Sequence, residues 1–380
     1  MKQLTVKTMS TSYDVHIGGG VYVLFATEYK ELLQHADKVG IFADATAASY
    51  HLEKLEQALQ AASIPFVLHM LPGGEESKTP ASFMSCHSFL LQHQFTRQSV
   101  LIAFGGGACG DLTGFVAATF MRGIPFLQCP TTILAHDSAV GGKTAINMPE
   151  GKNMVGSFHQ PAGVLFRPDL FTTLPEREVR SGMAELLKHA MISDDDWTES
   201  LLLNSDFPHF SAEMLSTELL KGIRVKADIV AQDEFEQGMR KFLNFGHTLG
   251  HAVEAYFGFG KVSHGECVMI GMAYSLLLSE TFGSISPGFT NRFIRFADHS
   301  GYPVQAIVDV EFNSLLQFMK MDKKVSAGEL VFVLLHSPGN PFTQKVSERH
   351  CEQAYHELIS RIKEEVLHDC KRNKGSNNRK

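Results

Sequence analysis

Residues 99–121 read SVLIAFGGGACGDLTGFVAATFM, and this stretch decides the fold class. Its first part, residues 99–104, is a compact apolar run typical of a buried strand. A glycine-rich loop, 105–111, leads into an apolar segment, 112–121, that predicts a helix. Backbone amides in such a loop can approach a pyrophosphate at the positive end of the helix. The glycine spacing differs from GxGxxG, so two alternatives stay open, a nucleotide-phosphate loop and a tight structural turn.

The same alternation of strand-like and helical segments precedes this loop. The predicted strands are residues 3–17, as two short strands, 38–44 and 65–71, and the predicted helices are 48–62 and 81–94. This order predicts a parallel sheet flanked by helices, with ligands bound at the carboxyl ends of the strands.

After residue 175, strand-like runs become rare and helical periodicity dominates the sequence. We therefore place a domain boundary near Thr173. The sequence therefore predicts an N-terminal α/β domain at residues 1–173 and a mainly α-helical C-terminal domain at residues 174–367. Residues 368–380 are polar and basic without an apolar period, which predicts a disordered tail.

The C-terminal domain also contains segments with a clear secondary-structure pattern. Residues 309–322 and 347–366 predict helices, and residues 329–335 predict a lone strand. The longest apolar run, residues 267–278, is too short to cross a bilayer and predicts a buried helix.

Composition excludes several classes of protein. The chain has 380 residues, a formal net charge of -7 and a pI near 6.2, so no global basic field would attract nucleic acid or anionic membranes. The first twenty residues lack the pattern of a signal peptide, which predicts a cytoplasmic protein. The six cysteines show no CxxC pairing, which predicts reduced thiols that serve mainly in packing.

Residues 240–266, RKFLNFGHTLGHAVEAYFGFGKVSHGE, predict a metal site. His247 and His251 are four residues apart, so both imidazoles project from one face of a helix. His264 follows after a glycine-broken connection, and neutral imidazole is a ligand that suits zinc. Core or capping roles are the alternative for each histidine. Glu185, three residues before Lys188, supplies a carboxylate, although the two side chains also read as a surface ion pair.

Residues 130–153, PTTILAHDSAVGGKTAINMPEGKN, predict an oxyanion site. The segment is dense in hydroxyl residues and glycines and contains Lys143 and Lys152, flanked by Asp137 and Asn153. A lysine beside glycines can deliver a point charge to a phosphate that the backbone also contacts. A solvated loop is the alternative.

Seven segments together resemble one enzyme family, 3-dehydroquinate synthase. They are residues 105–123, 130–147, 151–161, 181–189, 240–254, 264–266 and 321–324. The resemblance implies an NAD-binding α/β domain, a helical domain that binds zinc or alternatively cobalt, a small-molecule substrate and a homodimer. It implies no nucleic-acid or membrane partner.

The resemblance also implies roles for single residues. The implied metal ligands are Glu185, His247 and His264, whereas His251 faces the substrate, which replaces the reading in which His247 and His251 bind together. The implied catalytic residues are Asp137, Lys188, Glu236 and His251. The implied NAD contacts are Asp44, Glu75, Lys78, Gly106, Gly107, Asp111, Thr131, Thr132, Lys143, Lys152 and Thr173. The implied substrate contacts are Arg122 from a partner subunit, Lys143, Lys152, Asn153, Lys226, Arg240, Asn244 and Lys324.

The implied reaction converts 3-deoxy-D-arabino-heptulosonate 7-phosphate to 3-dehydroquinate and phosphate with recycled NAD, the second step of the shikimate pathway. The alternatives are a sugar-phosphate cyclase whose substrate lacks the carboxylate, a dehydrogenase of the glycerol-dehydrogenase type, and a catalytically silent NAD-binding protein. Arg240 and Asn244 argue against the first, and the phosphate-site lysines against the second. Intact metal positions argue against the third. Arg167 stands where the family commonly has aspartate, Val331 stands where a basic residue is frequent, and Ala108 and Cys109 replace two valines.

Overall fold

The structure is a computed structural model that describes residues 1–258, 260–322 and 330–367. The chain forms two compact units, which we describe separately. Unit 1 comprises Met1–Pro175 and Ser211–Gln237, and unit 2 comprises Glu176–Phe210 and the described residues from Gly238 onward.

Unit 1 is an α/β unit built on a seven-stranded sheet of order β1-β2-β9-β6-β5-β3-β4. The strands are β1 (Lys2–Lys7), β2 (Ser12–Ile17), β3 (Val39–Asp44), β4 (Phe66–Leu71), β5 (Val100–Gly105), β6 (Phe126–Pro130), β7 (Lys143–Met148), β8 (Gly151–Phe158) and β9 (Gly163–Phe166). The helices are α1 (Lys30–Gln34), α2 (Ala45–Ala61), α3 (Pro80–Gln92), α4 (Gly107–Thr119), α5 (Ala135–Ser138) and α8 (Ala212–Gln232). Only β1 runs antiparallel in the sheet, while β7 and β8 form a separate antiparallel hairpin. The predicted parallel sheet is confirmed.

The parallel register brings three strand ends to one edge of the sheet. β3 and β5 are buried at every position, as expected for strands covered on both faces. Ala43 pairs with Phe104, and Gly105 pairs with Pro130. The segments that follow β3, β5 and β6 therefore begin side by side, and those after β5 and β6 carry five of the eleven predicted NAD contacts, Gly106, Gly107, Asp111, Thr131 and Thr132.

The prediction that residues 105–111 form a loop before a helix at 112–121 is wrong from Gly107 onward. The helix α4 already begins at Gly107, and the Gly110 N–H donates to the Gly106 carbonyl at 3.1 Å. Glycines have low helix propensity, but here tertiary packing decides, since α4 is buried over most of its length. The hairpin β7–β8, which begins inside residues 130–153 and ends at Phe158, was not predicted.

Helix α8 belongs to unit 1 although it follows the first helices of unit 2 in the chain. Lys2 Nζ donates to Thr217 Oγ1 at 2.6 Å, and the backbone N–H of Ser10 donates to Glu234 at 3.0 Å. These contacts tie residues 211–237 to β1 and the turn that follows it. The sequence placed this segment in the C-terminal domain, and the domain limits at residues 173 and 367 stay predictions.

Unit 2 is mainly helical, as predicted. Its helices are α6 (Glu176–Ser193), α7 (Asp195–Leu202), α9 (His247–Phe257), α10 (His264–Phe282), α11 (Pro287–His299), α12 (Phe312–Asp322) and α13 (Glu348–Ile362). Its strands are β10 (Leu330–Leu335) and β11 (Pro341–Val346). Helix α10 is buried over most of its length, which confirms the buried helix predicted at 267–278.

The strand predicted at 329–335 is not alone, because β10 pairs antiparallel with β11. The sequence of β11, PFTQKV, begins with proline and is mostly polar, so it gave no strand signal. None of the described helices is long and apolar enough to cross a membrane. Five cysteines are buried free thiols, Cys86, Cys109, Cys129, Cys267 and Cys351, whereas Cys370 and the predicted tail lie outside the described residues.

Candidate functional site

Three helices of unit 2 bring one carboxylate and two imidazoles together. Glu185 lies on α6, His247 is the first residue of α9, and His264 is the first residue of α10. Glu185 Oε1 lies 3.5 Å from His247 Nε2 and 3.4 Å from His264 Nε2. Ligand atoms bound at about 2.0–2.1 Å around a tetrahedral zinc ion lie about 3.4 Å apart. The observed separations are therefore those of a zinc ligand set.

The other ring nitrogen of each imidazole contacts an acceptor. His247 Nδ1 lies 3.1 Å from the Phe245 carbonyl oxygen, and His264 Nδ1 lies 3.0 Å from Glu254 Oε2. A carbonyl oxygen only accepts, so Nδ1 of His247 carries the proton and Nε2 presents its lone pair toward Glu185. Holding Nδ1 in this way is the usual support of a metal-ligating histidine.

Two further side chains surround Glu185. Lys188 Nζ lies 2.5 Å from Glu185 Oε2, and both side chains are 1% exposed. The reading of this pair as a surface ion pair is therefore wrong. The His251 ring centroid lies 5.2 Å from that of His247 and 5.7 Å from that of His264, which confirms that the three histidines form one cluster. Which of them bind metal stays a prediction.

The two clustered histidines nearest to Glu185 differ in their affinity for protons. Burial lowers the pKa of His247 well below its ordinary value. Burial also lowers the pKa of His264, but the hydrogen bonds to Glu185 and Glu254 outweigh it and raise that pKa to about 9. The difference follows from the partners, since His247 has a neutral carbonyl where His264 has a second carboxylate.

The start of α4 in unit 1 suits a cofactor phosphate. A Cβ added at Gly107 would lie 2.7 Å from Ser138 Oγ, and one added at Gly106 would lie 3.0 Å from Thr132 Cγ2. The hydroxyls of Thr132 and Ser138 are buried and have no hydrogen-bond partner among the residues that the structure describes. Both hydroxyls lie beside the glycine backbone at the N-terminus of a helix. There they could donate hydrogen bonds to the oxygens of a pyrophosphate. Of the two alternatives for the glycine segment, this geometry favours the phosphate site.

Three predicted site residues meet at the buried amine of Lys78, next to this segment. Lys78 Nζ donates to Asp111 Oδ2 at 2.7 Å and to Asn153 Oδ1 at 2.5 Å, and the Lys78 side chain is 2% exposed. Burial raises the pKa of Asp111. These contacts place Asn153, predicted for the substrate, beside two residues predicted for NAD.

Asp44 and Thr173, two further predicted NAD contacts, form hydrogen bonds within unit 1. Asp44 Oδ1 caps α2 by accepting the N–H groups of Thr46 and Ala47 at 2.9 and 3.0 Å, and its Oδ2 accepts the Gly74 N–H at 2.8 Å. Thr173 Oγ1 lies 2.7 Å from His51 Nε2. The role of Asp44 that the structure gives is thus structural, and its contact with the adenosine half stays a prediction.

Charged pairs hold other predicted residues of unit 1. Lys152 Nζ lies 3.5 Å from Glu75 Oε1. Lys143 Nζ donates to Glu236 at 2.5 Å. Lys226 Nζ donates to the Asp137 carbonyl oxygen and lies 3.2 Å from Asp137 Oδ2.

Three predicted site residues have left-handed backbone, with φ of 72° at Arg122 and 59° at both Asn153 and Glu236. Such a conformation is uncommon for residues other than glycine and concentrates at functional sites.

In unit 2, Arg240 and Asn244 lie on the short 3₁₀ helix Met239–Asn244, and Arg240 is 1% exposed. Lys324 lies outside the described residues.

Family models match most of the chain. The model described as 3-dehydroquinate synthase N-terminal matches residues 68–181, and the model described as 3-dehydroquinate synthase C-terminal matches residues 182–325. A protein of Lysinibacillus sphaericus (strain C3-41) named 3-dehydroquinate synthase is 49% identical over 365 residues, which cover 95% of this chain and 99% of that protein.

The chain belongs to the 3-dehydroquinate synthase family. A second relative with this name, from Listeria monocytogenes serotype 4b (strain CLIP80459), is 44% identical over 361 residues, covering 94% of this chain and 98% of that protein. Both proteins match this member of the 3-dehydroquinate synthase family over nearly their whole length.

Solved structures of other synthases share the fold of this 3-dehydroquinate synthase family member. One is 2-deoxy-scyllo-inosose synthase with carbaglucose-6-phosphate, NAD+ and Co2+, at a TM-score of 0.83 and 24% identity over 94% of this chain and 99% of that one. Another is ValA, a 2-epi-5-epi-valiolone synthase from Streptomyces hygroscopicus subsp. jinggangensis 5008 with NAD+ and Zn2+, at a TM-score of 0.80 and 24% identity over 92% and 98% of the two chains.

Sequence reasoning missed residues that contact the predicted site residues. Glu254 holds His264, Ser138 faces Gly107, and His51 contacts Thr173. Glu254 lies on α9 and His264 on α10, so helical spacing does not predict their contact.

The structure also gives an account of Arg167, which departs from the family pattern. Arg167 Nε donates to Asp169 Oδ1 at 2.9 Å, and the guanidinium lies 5.3 Å from the ring centroid of Tyr22. The same Asp169 carboxylate accepts Lys54 Nζ at 2.9 Å.

Proposed function

We propose that this chain is a 3-dehydroquinate synthase that converts 3-deoxy-D-arabino-heptulosonate 7-phosphate to 3-dehydroquinate and phosphate. NAD and a divalent metal, zinc or alternatively cobalt, are the cofactors. Because phosphate leaves by cleavage of a carbon–oxygen bond, the enzyme is a lyase. The reaction is the second step of the shikimate pathway.

The observation that carries the proposal is the position of Glu185 Oε1, 3.5 and 3.4 Å from the two imidazole nitrogens of His247 and His264. Two ligand atoms bound to one tetrahedral zinc ion lie about 3.4 Å apart, so this spacing fits a zinc ion held between the carboxylate and the imidazoles. The two solved synthases of similar fold hold NAD+ with Co2+ or Zn2+, which supports the same pair of cofactors here.

The bound metal would polarise the substrate hydroxyls, and NAD would accept a hydride and return it later in the same turnover. Glu185, His247 and His264 would hold the metal. Lys188 contacts Oε2 of Glu185, and this contact orients Oε1 of Glu185 toward the two imidazoles.

The remaining residues act on the charged groups of the substrate. Lys143, Asn153 and Asn244 would bind the phosphate, and a fixed cation stabilises the charge that develops as phosphate leaves. Lys152, next to Asn153, would add a second charge. Arg240 would bind the substrate carboxylate with its planar guanidinium, and Lys226 would contact the carboxylate or the ring.

Two side chains that accept protons complete the proposed chemistry of unit 1. Asp137 and Glu236 would lie near the reacting hydroxyls, each already beside a lysine in the structure. A carboxylate oxygen can accept a hydrogen bond from a substrate hydroxyl. His251, in the histidine cluster, would face the substrate.

The proposal includes a homodimer in which Arg122 enters the partner's site, and a cytoplasmic location. Arg122 is exposed, and the left-handed backbone at Met121 and Arg122 turns this short segment sharply. Exposed apolar side chains on β8, Met154, Val155 and Phe158, are of the kind that a subunit interface covers. The five buried free thiols suit a reducing compartment.

The test is a coupled assay of phosphate release and dehydroquinate formation from the heptulosonate phosphate. We expect both products in a one-to-one ratio, their loss after chelation of the metal, and their return with zinc. Absence of phosphate release in the zinc-loaded protein with NAD would refute the proposed function. Steady NADH formation from a simple polyol would instead support the dehydrogenase alternative.

A further inference from the structure

An arginine–glutamate pair lies beside the candidate metal ligands of unit 2. Glu266 is the third residue of α10, two residues after His264, and Arg180 lies on α6, five residues before Glu185. Arg180 Nε and Nη2 donate to Glu266 Oε1 at 3.0 and 2.7 Å. The Glu266 side chain is 6% exposed. The pair therefore joins the two helices that carry Glu185 and His264.

The second carboxylate oxygen of Glu266 fixes the first turn of α10. Glu266 Oε2 accepts the Ser263 N–H at 3.0 Å and the Ser263 hydroxyl at 2.9 Å. Ser263 is the N-cap of α10, so the two residues form a capping box. His264 is the next residue, and the capping box thus determines the backbone from which its imidazole projects.

A close backbone contact transmits this arrangement to α6. The Gly265 N–H donates to Ser181 Oγ at 3.0 Å, and a Cβ added at Gly265 would lie 2.0 Å from the Ser181 carbonyl oxygen. The start of α10 therefore lies directly against the backbone of α6. A shift of either helix would change the 3.4 Å separation between Glu185 Oε1 and His264 Nε2.

We propose that Arg180, Glu266 and Ser263 form a positioning clasp that sets the separation of Glu185 and His264. Through that separation the clasp sets the affinity and the coordination geometry of the divalent metal. The inference rests on the proposed function, because it takes Glu185 and His264 as metal ligands. The three residues of the clasp act through these ligands and do not bind the metal themselves.

Glu266→Gln is the most direct test of the clasp. The four donors on Glu266 use both carboxylate oxygens, and the nitrogen of a glutamine amide cannot accept. Whichever way the amide turns, its NH2 group meets either the Arg180 guanidinium or the Ser263 donors. The variant thus disturbs the clasp without removing bulk from the site.

The chain offers a matched control on the same helix. Glu280, near the other end of α10, accepts Arg361 Nη1 and Nη2 at 2.7 and 2.8 Å. Its side chain is 13% exposed. Glu280→Gln therefore weakens a comparable arginine–glutamate pair sixteen residues away from His264 in the sequence.

The measurements are zinc affinity by competition with a chromogenic chelator, the visible absorption spectrum of the Co2+-loaded protein, and thermal unfolding of the metal-free protein. We expect Glu266→Gln to weaken zinc binding by about 10- to 100-fold and to change the Co2+ spectrum. We expect Glu280→Gln to lower the unfolding temperature while both metal readouts stay unchanged.

Two outcomes would overturn the clasp, namely unchanged zinc affinity and Co2+ spectrum in Glu266→Gln, or an equal loss in Glu280→Gln. If Glu266→Gln fails to fold, Arg180→Lys replaces it, since lysine keeps the charge but loses the two-pronged contact. Its zinc affinity should fall by a smaller factor, and wild-type affinity would refute the clasp. A wild-type protein that takes up no metal would refute the proposed function instead.

Discussion

Glu254 supports His264 in a way that composition and motif spacing do not reveal. Its Oε2 lies 3.0 Å from His264 Nδ1, and its side chain is 6% exposed. A buried carboxylate in this place fixes the ring orientation and raises the basicity of the nitrogen that faces Glu185. At the scale of single residues, the metal centre thus needs more than the three predicted ligands.

This contact leads to a graded prediction for two substitutions of Glu254. Glu254→Gln keeps an acceptor for Nδ1 but loses the charge, whereas Glu254→Ala loses both. We expect zinc affinity to fall in both variants, by up to about 100-fold in Glu254→Ala and by less in Glu254→Gln. Chelator competition measures the affinities, and equal wild-type affinity in Glu254→Ala would remove Glu254 from the metal site.

The metal ligands themselves give a simpler prediction. His247→Ala removes one of the two imidazoles near Glu185 and should abolish both metal retention and turnover. Metal content after gel filtration, measured by atomic absorption, checks the first effect separately from the second. A variant that keeps its metal and its rate would show that His247 is not a ligand.

At the scale of elements, the sequence predicted the strands and helices with strong patterns and missed those without one. The strands β3, β4 and β5 and the buried helix α10 are largely continuous apolar runs, which are clear sequence signals. The polar strand β11 and the hairpin β7–β8 do not, and the early start of α4 depends on packing that local propensity opposes. The site residues came from motifs, whereas Glu254, Ser138 and Arg180 act through contacts between different helices, which spacing within one helix cannot show.

The early start of α4 makes Gly107 a test of the cofactor site. A Cβ at this position would lie 2.7 Å from Ser138 Oγ and would occupy the space beside the helix N-terminus. We expect Gly107→Ala to weaken NAD binding by at least about tenfold, or about 1.4 kcal/mol, while zinc affinity stays unchanged. Isothermal titration with NAD measures the effect.

Ser138→Ala separates the two causes that this prediction combines. It removes the hydroxyl that Gly107→Ala would meet and leaves the Cβ of residue 138 at 3.3 Å from the new methyl group. The single variant Ser138→Ala measures what the lost hydroxyl costs in NAD affinity, and an equal affinity in the double variant would show that the clash, and not the lost space, weakened binding. An unaffected affinity in Gly107→Ala would place the cofactor elsewhere.

At the scale of the whole molecule, the proposed exchange of Arg122 between subunits can be tested by mixing two inactive variants. Arg122→Ala lacks the donated arginine, and His247→Ala lacks a metal ligand. In a mixed dimer, the Arg122→Ala subunit keeps its own metal ligands and receives Arg122 from its partner. We therefore expect activity to appear when the two variants are unfolded together and refolded, up to about one quarter of the wild-type rate for random mixing.

Sedimentation analysis supplies the necessary control, because the mixture must contain dimers. A dimeric mixture that stays inactive, although each wild-type control refolds to full activity, would show that Arg122 acts within its own subunit. A monomeric wild-type protein would refute the proposed homodimer itself.

The most direct test of the central claim is the number of phosphate ions released for each NAD molecule present. The protein is loaded with zinc and one equivalent of NAD, mixed with the heptulosonate phosphate, and followed for phosphate release and for NADH absorbance. Recycled NAD predicts many phosphate ions per NAD, equal amounts of dehydroquinate and no accumulating NADH. Phosphate release that stops after one equivalent, or NADH that accumulates in step with product, would contradict the account.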